Sequence, residues 1–241
     1  ELVKNLEKDD FVVQTAAYMS PPKWHIGHVS WIYEAIISKI DKNYQFHSKE
    51  LSEYLNSYYK QFGAPHDKGL RGIISRPTIN EIFQYFNTIN QKVEKFIQTH
   101  ELNEQEKKLI VTGFHHECQH QELLVYDLQH LLAEQYLPVR KNKSNIQENK
   151  EKEFVKIKGG IFEMGYNGNG FSYDIELPEH KTYLEDYKIG IFPVTNREYL
   201  EFMNDGGYET YKHWLSDGWE KVKSNDWKSP MYWEKLMTNG M

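Results

Sequence analysis

Apolar residues recur at helical spacing through the first half of the chain. Between residues 79 and 99, apart from the adjacent pair Ile82 and Phe83, they lie three or four positions apart, which predicts an amphipathic helix. Its apolar face is formed by Ile82, Phe83, Phe86, Ile89, Val93 and Phe96. Thr78 and Glu81 are spaced as a capping box and predict the start of this helix. A similar pattern predicts a long helix over residues 104–135.

An earlier helix is predicted to begin at Pro21-Pro22, because proline is tolerated in the first helical turn and an apolar, aromatic run follows. The chain is therefore expected to be helix-rich up to about residue 136. Four helices of this kind form a bundle, in which side chains from facing helices project inward and can bind a metal ion.

The pattern changes in the second half of the chain. Residues 142–153 form a polar run without aromatic residues, which is typical of a linker or an exposed loop. Residues 154–157 alternate as a short strand, and Gly159-Gly160 turns the chain into a second strand at 161–164, as in a hairpin. The sequence thus predicts an α+β protein in three parts: a helical domain at 1–137, a linker at 138–153 and a mixed domain at 154–241.

The most histidine-dense segment, residues 114–124, lies in the predicted long helix. At 3.6 residues per turn, His116 and His120 are one turn apart along the helix and about 40° apart around its axis. Two imidazoles in this arrangement can bind one metal ion. Histidine pairs with this spacing also occur on solvated helix surfaces, and the chain has 11 histidines, so that some clustering is expected.

Two metal-binding motifs overlap in this segment. His116-Glu117-Cys118-Gln119-His120 matches H-E-x-x-H, the zinc protease helix in which the glutamate acts as general base. The polar neighbours His115 and Gln121 argue against a protease, because the helix of a protease is buried in its domain and favours apolar neighbours.

The alternative motif, H-x3-H-x-E, adds Glu122 to the two histidines. On a helical wheel with His116 at 0°, Glu122 falls at roughly −120° and points away from the metal face. Gln119 falls at roughly −60° on the same wheel and flanks that face. We therefore expect Gln119, rather than Glu122, beside a bound ion.

A third imidazole is available upstream. His25 and His28 share a face of the first predicted helix with Trp24 and Trp31. A histidine on such an apolar face is either a hydrogen-bonded core residue or a metal ligand. If one of the two reaches the downstream histidine pair, the result is a three-histidine site with open coordination positions. Such a site suits Fe(II), Zn(II) or another divalent metal.

The chain resembles the ergothioneine-biosynthesis sulfoxide synthases, the EgtB type, in motifs that follow one another in order through nearly its whole length. The motifs are Lys23-Trp24-His25-Ile26-Gly27-His28 followed by Trp31 and Glu34, Asn56-Ser57-Tyr58-Tyr59, Arg71-Gly72-Ile73-Ile74-Ser75-Arg76-Pro77, His116 through Leu124, Gly159-Gly160-Ile161-Phe162-Glu163-Met164-Gly165, Pro193-Val194-Thr195-Asn196 and Trp214-Leu215-Ser216-Asp217-Gly218-Trp219. Several of these motifs are long, so the resemblance is far more specific than the spacing of two histidines.

The resemblance implies a DinB-like four-helix bundle followed by the N-terminal part of a sulfatase-modifying-factor (FGE-like) domain, a mixed fold related to C-type lectin domains. It implies three iron ligands, His28, His116 and His120, and it places Gln119 against the histidine-derived substrate. In such enzymes the later half of the second domain carries a tyrosine that is proposed as proton donor. The catalytic acid is therefore expected beyond residue 241.

Two arginines lie in one of the resembling motifs. Arg71 and Arg76 belong to a segment that is expected to approach the carboxylates of a thiol substrate. Planar guanidinium groups are well suited to bind carboxylates. The alternative is that both arginines are surface or structural residues.

By resemblance, the chain is expected to form part of a non-heme, Fe(II)- and O2-dependent sulfoxide synthase. Such an enzyme joins the sulfur of cysteine or γ-glutamylcysteine to C2 of the imidazole of hercynine (trimethylhistidine) and oxidises the sulfur. One alternative is an ovothiol-type synthase, which accepts histidine itself. Two others are a zinc-dependent, DinB-like thiol transferase and a scaffold that kept the fold without the chemistry.

Composition agrees with a cytoplasmic enzyme that acts on small molecules. The formal net charge of −6 and the absence of a Lys/Arg stripe argue against a nucleic-acid partner. The sequence has no apolar run of membrane-spanning length and opens on no signal peptide, so no membrane association is expected.

The single cysteine, Cys118, excludes an internal disulfide, and we expect it to be a packing residue rather than a reactive thiol. The first residue is Glu1, so further residues are expected to precede it.

Overall fold

The computed structural model describes residues 1–57, 59–64, 66–133, 152–168 and 170–233. Most of the linker predicted at 138–153 lies outside the described residues, as does the predicted end of the long helix at residue 135. The chain divides into two compact units, which are residues 1–142 with 166–178 and residues 143–165 with 179–241. This division assigns residues 166–178 to the helical unit, and the domain boundaries expected from the sequence remain a prediction.

Within the described residues, the first unit contains three long helices and one short one. They are α1 (Pro22–Ile40), α2 (Lys49–Leu55), α3 (Ile79–Thr99) and α4 (Glu104–Ala133). The predicted capping box begins α3, because Thr78 Oγ1 accepts a hydrogen bond from the Glu81 N–H at 3.3 Å and the Glu81 carboxylate accepts one from the Thr78 N–H at 2.7 Å. The predicted proline start begins α1, with Pro22 in its first turn.

The central element of this unit is α1, which packs against α2, α3 and α4. Its apolar face contributes to a hydrophobic core that is shielded from water. The buried residues of this core are Trp24, Trp31, Ile32, Ala35, Ile36, Tyr54, Leu55, Tyr85 and Ile89. The same helix carries His25 and His28 into the interior, where they are 4% and 1% exposed. Packing of α4 against α1 therefore sets two histidine-bearing helices side by side.

The second unit is mixed, and the predicted α+β class is confirmed. Its strands and helices are β1 (Phe154–Ile157), β2 (Gly160–Met164), β3 (His180–Leu184), β4 (Tyr187–Gly190), α5 (Asn196–Asn204) and α6 (Ser216–Ser224). β1 pairs with β4 and β2 pairs with β3, in both cases antiparallel. Among the described residues, no helix combines the length and the apolar character that crossing a lipid bilayer requires.

The hairpin expected between the first two strands is wrong, although both strands form. The Gly159 N–H donates to Asp186 Oδ1 at 2.8 Å, in the turn that joins β3 to β4. A Cβ atom added to Gly159 would lie 2.5 Å from the Leu184 carbonyl oxygen. Gly159 is thus required for close approach to a distant turn, and β1 and β2 find separate partners.

A buried carboxylate that accepts three hydrogen bonds stabilises the helical core. Glu34 is 1% exposed, and its Oε1 accepts hydrogen bonds from the Tyr44 hydroxyl and the His47 N–H, both at 2.8 Å. Its Oε2 accepts one from the Tyr85 hydroxyl at 2.5 Å. Burial first, and then the hydrogen bonds and charge of Glu34, raise the pKa of both tyrosines.

This network predicts a loss of stability at alkaline pH. Above about pH 10 the tyrosines of the unfolded chain ionise, whereas Tyr44 and Tyr85 keep their protons in the folded chain. The unfolded state then binds fewer protons, so the free energy of unfolding falls as the pH rises. We expect Tyr85→Phe to lower that free energy at pH 8 by about 1–3 kcal/mol and to make the alkaline fall shallower.

Urea unfolding at pH 8, 10 and 11 measures both effects. The matched control is Tyr18→Phe, since Tyr18 belongs to the same unit and is 60% exposed. A Tyr85→Phe protein with the stability and pH dependence of the control would contradict the prediction.

Candidate metal centre

Two helices far apart in sequence bring three histidines together. His28 lies on α1, and His116 and His120 lie one turn apart on α4. One ligand atom of each histidine lies within 4.8 Å of the corresponding atoms of the other two. The ring centroids are 4.5 Å to 5.1 Å apart. These are the three residues that the resemblance assigns to iron.

The free lone pair of His28 follows from its backbone contact. His28 Nδ1 lies 2.6 Å from the Leu55 carbonyl oxygen. A carbonyl oxygen only accepts, so Nδ1 carries the hydrogen and Nε2 keeps its lone pair. Nε2 is therefore the atom of His28 that is available to a metal ion.

His120 is oriented by a series of hydrogen-bonded side chains rather than by a backbone carbonyl. Its Nδ1 lies 3.0 Å from Nδ1 of His25, and Nε2 of His25 lies 2.8 Å from Oδ2 of Asp127. Asp127 Oδ2 also accepts a hydrogen bond from the Ser20 N–H at 2.9 Å. His25 is a core residue of this site and not one of the three clustered histidines.

The surroundings of His116 show whether the three histidines fit a metal ion. Its Nδ1 is buried and has no hydrogen-bond partner among the described residues. A buried polar atom without a partner costs about 1–3 kcal/mol, so the site is incomplete without a further group. Three imidazoles with open positions form a donor set that suits Fe(II) or Zn(II), and the residues present fit such an ion.

Burial keeps all three imidazoles neutral. It lowers the pKa of His28 well below its ordinary value, that of His116 to about 4 and that of His120 to about 3. For His28 and His120, the neighbouring histidines and Arg71 lower the pKa further. Metal binding requires the neutral imidazole, so near pH 7 these ligands need not first lose a proton.

A cation lies one aromatic ring away from this site. The Trp24 ring stacks on the His28 ring, with centroids 4.4 Å apart and an interplanar angle of 14°. The guanidinium carbon of Arg71 lies 3.3 Å from the centroid of the Trp24 ring on which it rests, and Arg71 Nη1 donates to Ser20 Oγ at 2.8 Å. Burial lowers the pKa of Arg71 to about 10, so it remains charged at neutral pH.

The other expected site residues are Gln119, Arg71 and Arg76. Gln119 is exposed on α4. Arg76 is exposed and lines a cleft of about 1090 Å³ with Tyr54 and Tyr85, and the three histidines are not among the described residues of that lining. Arg71 is the arginine of this pair that is buried near the histidines. The roles expected for Gln119, Arg71 and Arg76 remain predictions.

The two carboxylates of the overlapping motifs do not join the histidine group. Glu117 accepts a 3.5 Å hydrogen bond from the Tyr33 hydroxyl, and Glu122 accepts one from the Tyr126 hydroxyl. Sequence reasoning missed Asp127, although its position was accessible. It lies seven residues after His120 and therefore about 20° from it on the helical wheel.

Fold and site together define a helical bundle with a three-histidine centre, joined to a domain of a known family. Residues 140–237 match the family model of the sulfatase-modifying factor enzyme 1-like domain. The expected FGE-like second domain is thereby confirmed.

Curated relatives narrow the resemblance. The chain is 35% identical over 81 residues to a hercynine oxygenase of Mycolicibacterium smegmatis, which covers 33% of this chain and 19% of the relative. It is 36% identical over 62 residues to a hercynine oxygenase of Mycobacterium tuberculosis, covering 26% and 15%. A third hercynine oxygenase, of Mycolicibacterium thermoresistibile, is 33% identical over 63 residues, covering 26% and 14%. The resemblance to the ergothioneine type is confirmed, and the matched segments span a fifth or less of these relatives.

Proposed function

We propose that the chain is part of a non-heme, Fe(II)- and O2-dependent sulfoxide synthase of the ergothioneine type. Its substrates would be hercynine, O2 and either cysteine or γ-glutamylcysteine. One observation carries the proposal: the three histidines that the resemblance assigns to iron lie with their ligand atoms within 4.8 Å of one another. The relatives named hercynine oxygenase support the choice of substrate class.

In this proposal His28, His116 and His120 hold the metal ion and leave coordination positions for the thiol and O2. A bound Fe(II) ion would supply the redox and coordination chemistry that O2 activation needs, whereas the four electrons that reduce O2 come from the two substrates, two through C–S bond formation and two through oxidation of the sulfur. The protein contributes neutral ligands, because burial lowers the pKa of each imidazole below the working pH. It also contributes a rigid setting, since the His28 ring is fixed between the Leu55 carbonyl oxygen and the Trp24 ring.

Arg71 is the residue we propose to face a carboxylate of the thiol substrate. Its Nη1 is used by Ser20, but its Nε is buried without a hydrogen-bond partner among the described residues. A buried guanidinium donor of this kind binds a carboxylate oxygen through a charge-assisted hydrogen bond. Gln119 is proposed to contact the histidine-derived substrate from α4.

The test is anaerobic Fe(II) reconstitution of the full-length protein, followed by O2 uptake with hercynine and each thiol in turn. Uptake that requires both substrates, together with a C–S-linked sulfoxide in the mass spectrum, is the expected result. Coupling with histidine in place of hercynine would instead indicate the ovothiol type. Preferential zinc binding with thiol transfer and no O2 uptake would replace the proposal by the DinB-like transferase.

A further inference from the structure

We propose that Asp127 and His25 are positioning residues for the metal centre, acting through His120. The three side chains form a hydrogen-bonded relay, in which each hydrogen bond determines which nitrogen of the next histidine ring carries the hydrogen. This inference rests on the metal site of the proposed function, and it concerns residues outside the three ligands.

The relay begins at a carboxylate with a fixed place. Asp127 Oδ2 accepts from the Ser20 N–H at 2.9 Å and lies 2.8 Å from His25 Nε2. Ser20 Oγ in turn accepts from Arg71 Nη1 at 2.8 Å, so that a buried cation lies one residue away from the carboxylate. The side chains of His25 and Asp127 are 5% and 15% exposed. Water therefore competes little for these hydrogen bonds.

The direction of each hydrogen bond follows from the carboxylate. An ionised carboxylate only accepts, so His25 Nε2 carries a hydrogen and donates it to Asp127. When the His25 ring carries only this one hydrogen, its Nδ1 is an acceptor, and the facing Nδ1 of His120 donates to it across 3.0 Å. This leaves the lone pair of His120 on Nε2.

His120 thereby differs from the other two histidines of the site. The Nδ1 of His28 meets a neutral backbone carbonyl oxygen. Among the described residues, the His116 ring has no hydrogen bond to a carboxylate. Of the three, His120 is the one whose outer nitrogen leads to a carboxylate. When the N–H that faces away from the metal donates a hydrogen bond, the ring nitrogen that faces the metal becomes more basic and the ring orientation is fixed. We therefore expect His120 to donate its electron pair to the metal ion more strongly than His28 or His116.

Asp127→Ala removes the end of the relay and leaves all three ligands in place. We expect the dissociation constant for Co(II), measured by chelator competition on the full-length protein, to rise about 10–100-fold. Asp127→Asn keeps an acceptor oxygen without the charge and should recover part of the affinity. The matched control is Thr15→Val, which removes a 2.7 Å hydrogen bond to His130, three residues further along α4, and should leave the Co(II) affinity unchanged.

A second measurement separates positioning from loss of folding. The nitrogen-15 shifts of His120 in the metal-free protein report its tautomer, which should be Nδ1–H in the wild type and a mixture in Asp127→Ala. A folded Asp127→Ala protein with wild-type affinity for Co(II) and an unchanged His120 tautomer would overturn the relay. A wild-type protein that does not bind Co(II) would overturn the metal site itself, which is a different failure.

Discussion

Replacing His120 by alanine is expected to abolish tight metal binding. The side chain supplies one of three ligand atoms that lie within 4.8 Å of one another. The alanine variant would have to bind the ion with only two histidine ligands. The loss of affinity should exceed the roughly 10–100-fold that removal of an outer-shell partner costs. Metal content after anaerobic reconstitution, and a Co(II) titration, measure the effect.

The control for this substitution is His100→Ala. His100 is exposed at the end of α3, so its removal tests whether any surface histidine contributes to the bound metal. We expect the wild-type metal stoichiometry for the control and close to none for His120→Ala. Equal stoichiometry in the two variants would exclude the three-histidine site.

Trp31→Ala is expected to have the largest effect on stability, lowering the free energy of unfolding by about 3–5 kcal/mol. Trp31 is fully buried, and its ring contacts those of Tyr59 and Phe62. Its Nε1 donates to Ser52 Oγ at 3.0 Å, which joins α1 to α2. The alanine variant loses the apolar contacts, opens a cavity and leaves the Ser52 hydroxyl without this donor.

Urea unfolding followed by circular dichroism measures the change. Trp31→Phe retains most of the aromatic volume and loses the hydrogen bond, so it should lie between the wild type and Trp31→Ala. A loss below about 1 kcal/mol for the alanine variant would show that this part of the core does not hold the bundle together, because large-to-small changes in a packed core cost more.

The elements that local sequence determines were predicted well. The capping box of Thr78 and Glu81 and the proline start at Pro22 mark the beginnings of α3 and α1, because the groups involved are neighbours in sequence. The pairing of His116 with His120 follows from the helical repeat alone. The resemblance supplied His28, which no local pattern distinguishes from His25.

Contacts between distant residues were not predictable in the same way. The pairing of β1 with β4 depends on Gly159 meeting the turn at Asp186, 27 residues away. The stacking of Arg71 on Trp24 depends on how a loop returns to α1. His25 and His28 both lie on an apolar face, and only the position of α4 makes one a candidate ligand and the other the partner of Asp127.

The two helices that carry the histidines differ in how deeply they are embedded. Fourteen of the 19 residues of α1 are buried, against four of the 30 residues of α4. Backbone amides of a buried central helix exchange with solvent water only when much of the structure opens, whereas an outer helix opens locally at a lower free energy. We therefore expect slow hydrogen exchange along α1 and faster exchange along α4. Opening of α4 would carry His116 and His120 together away from His28, so the exchange of α4 amides in the metal-free protein reports how often the three histidines separate.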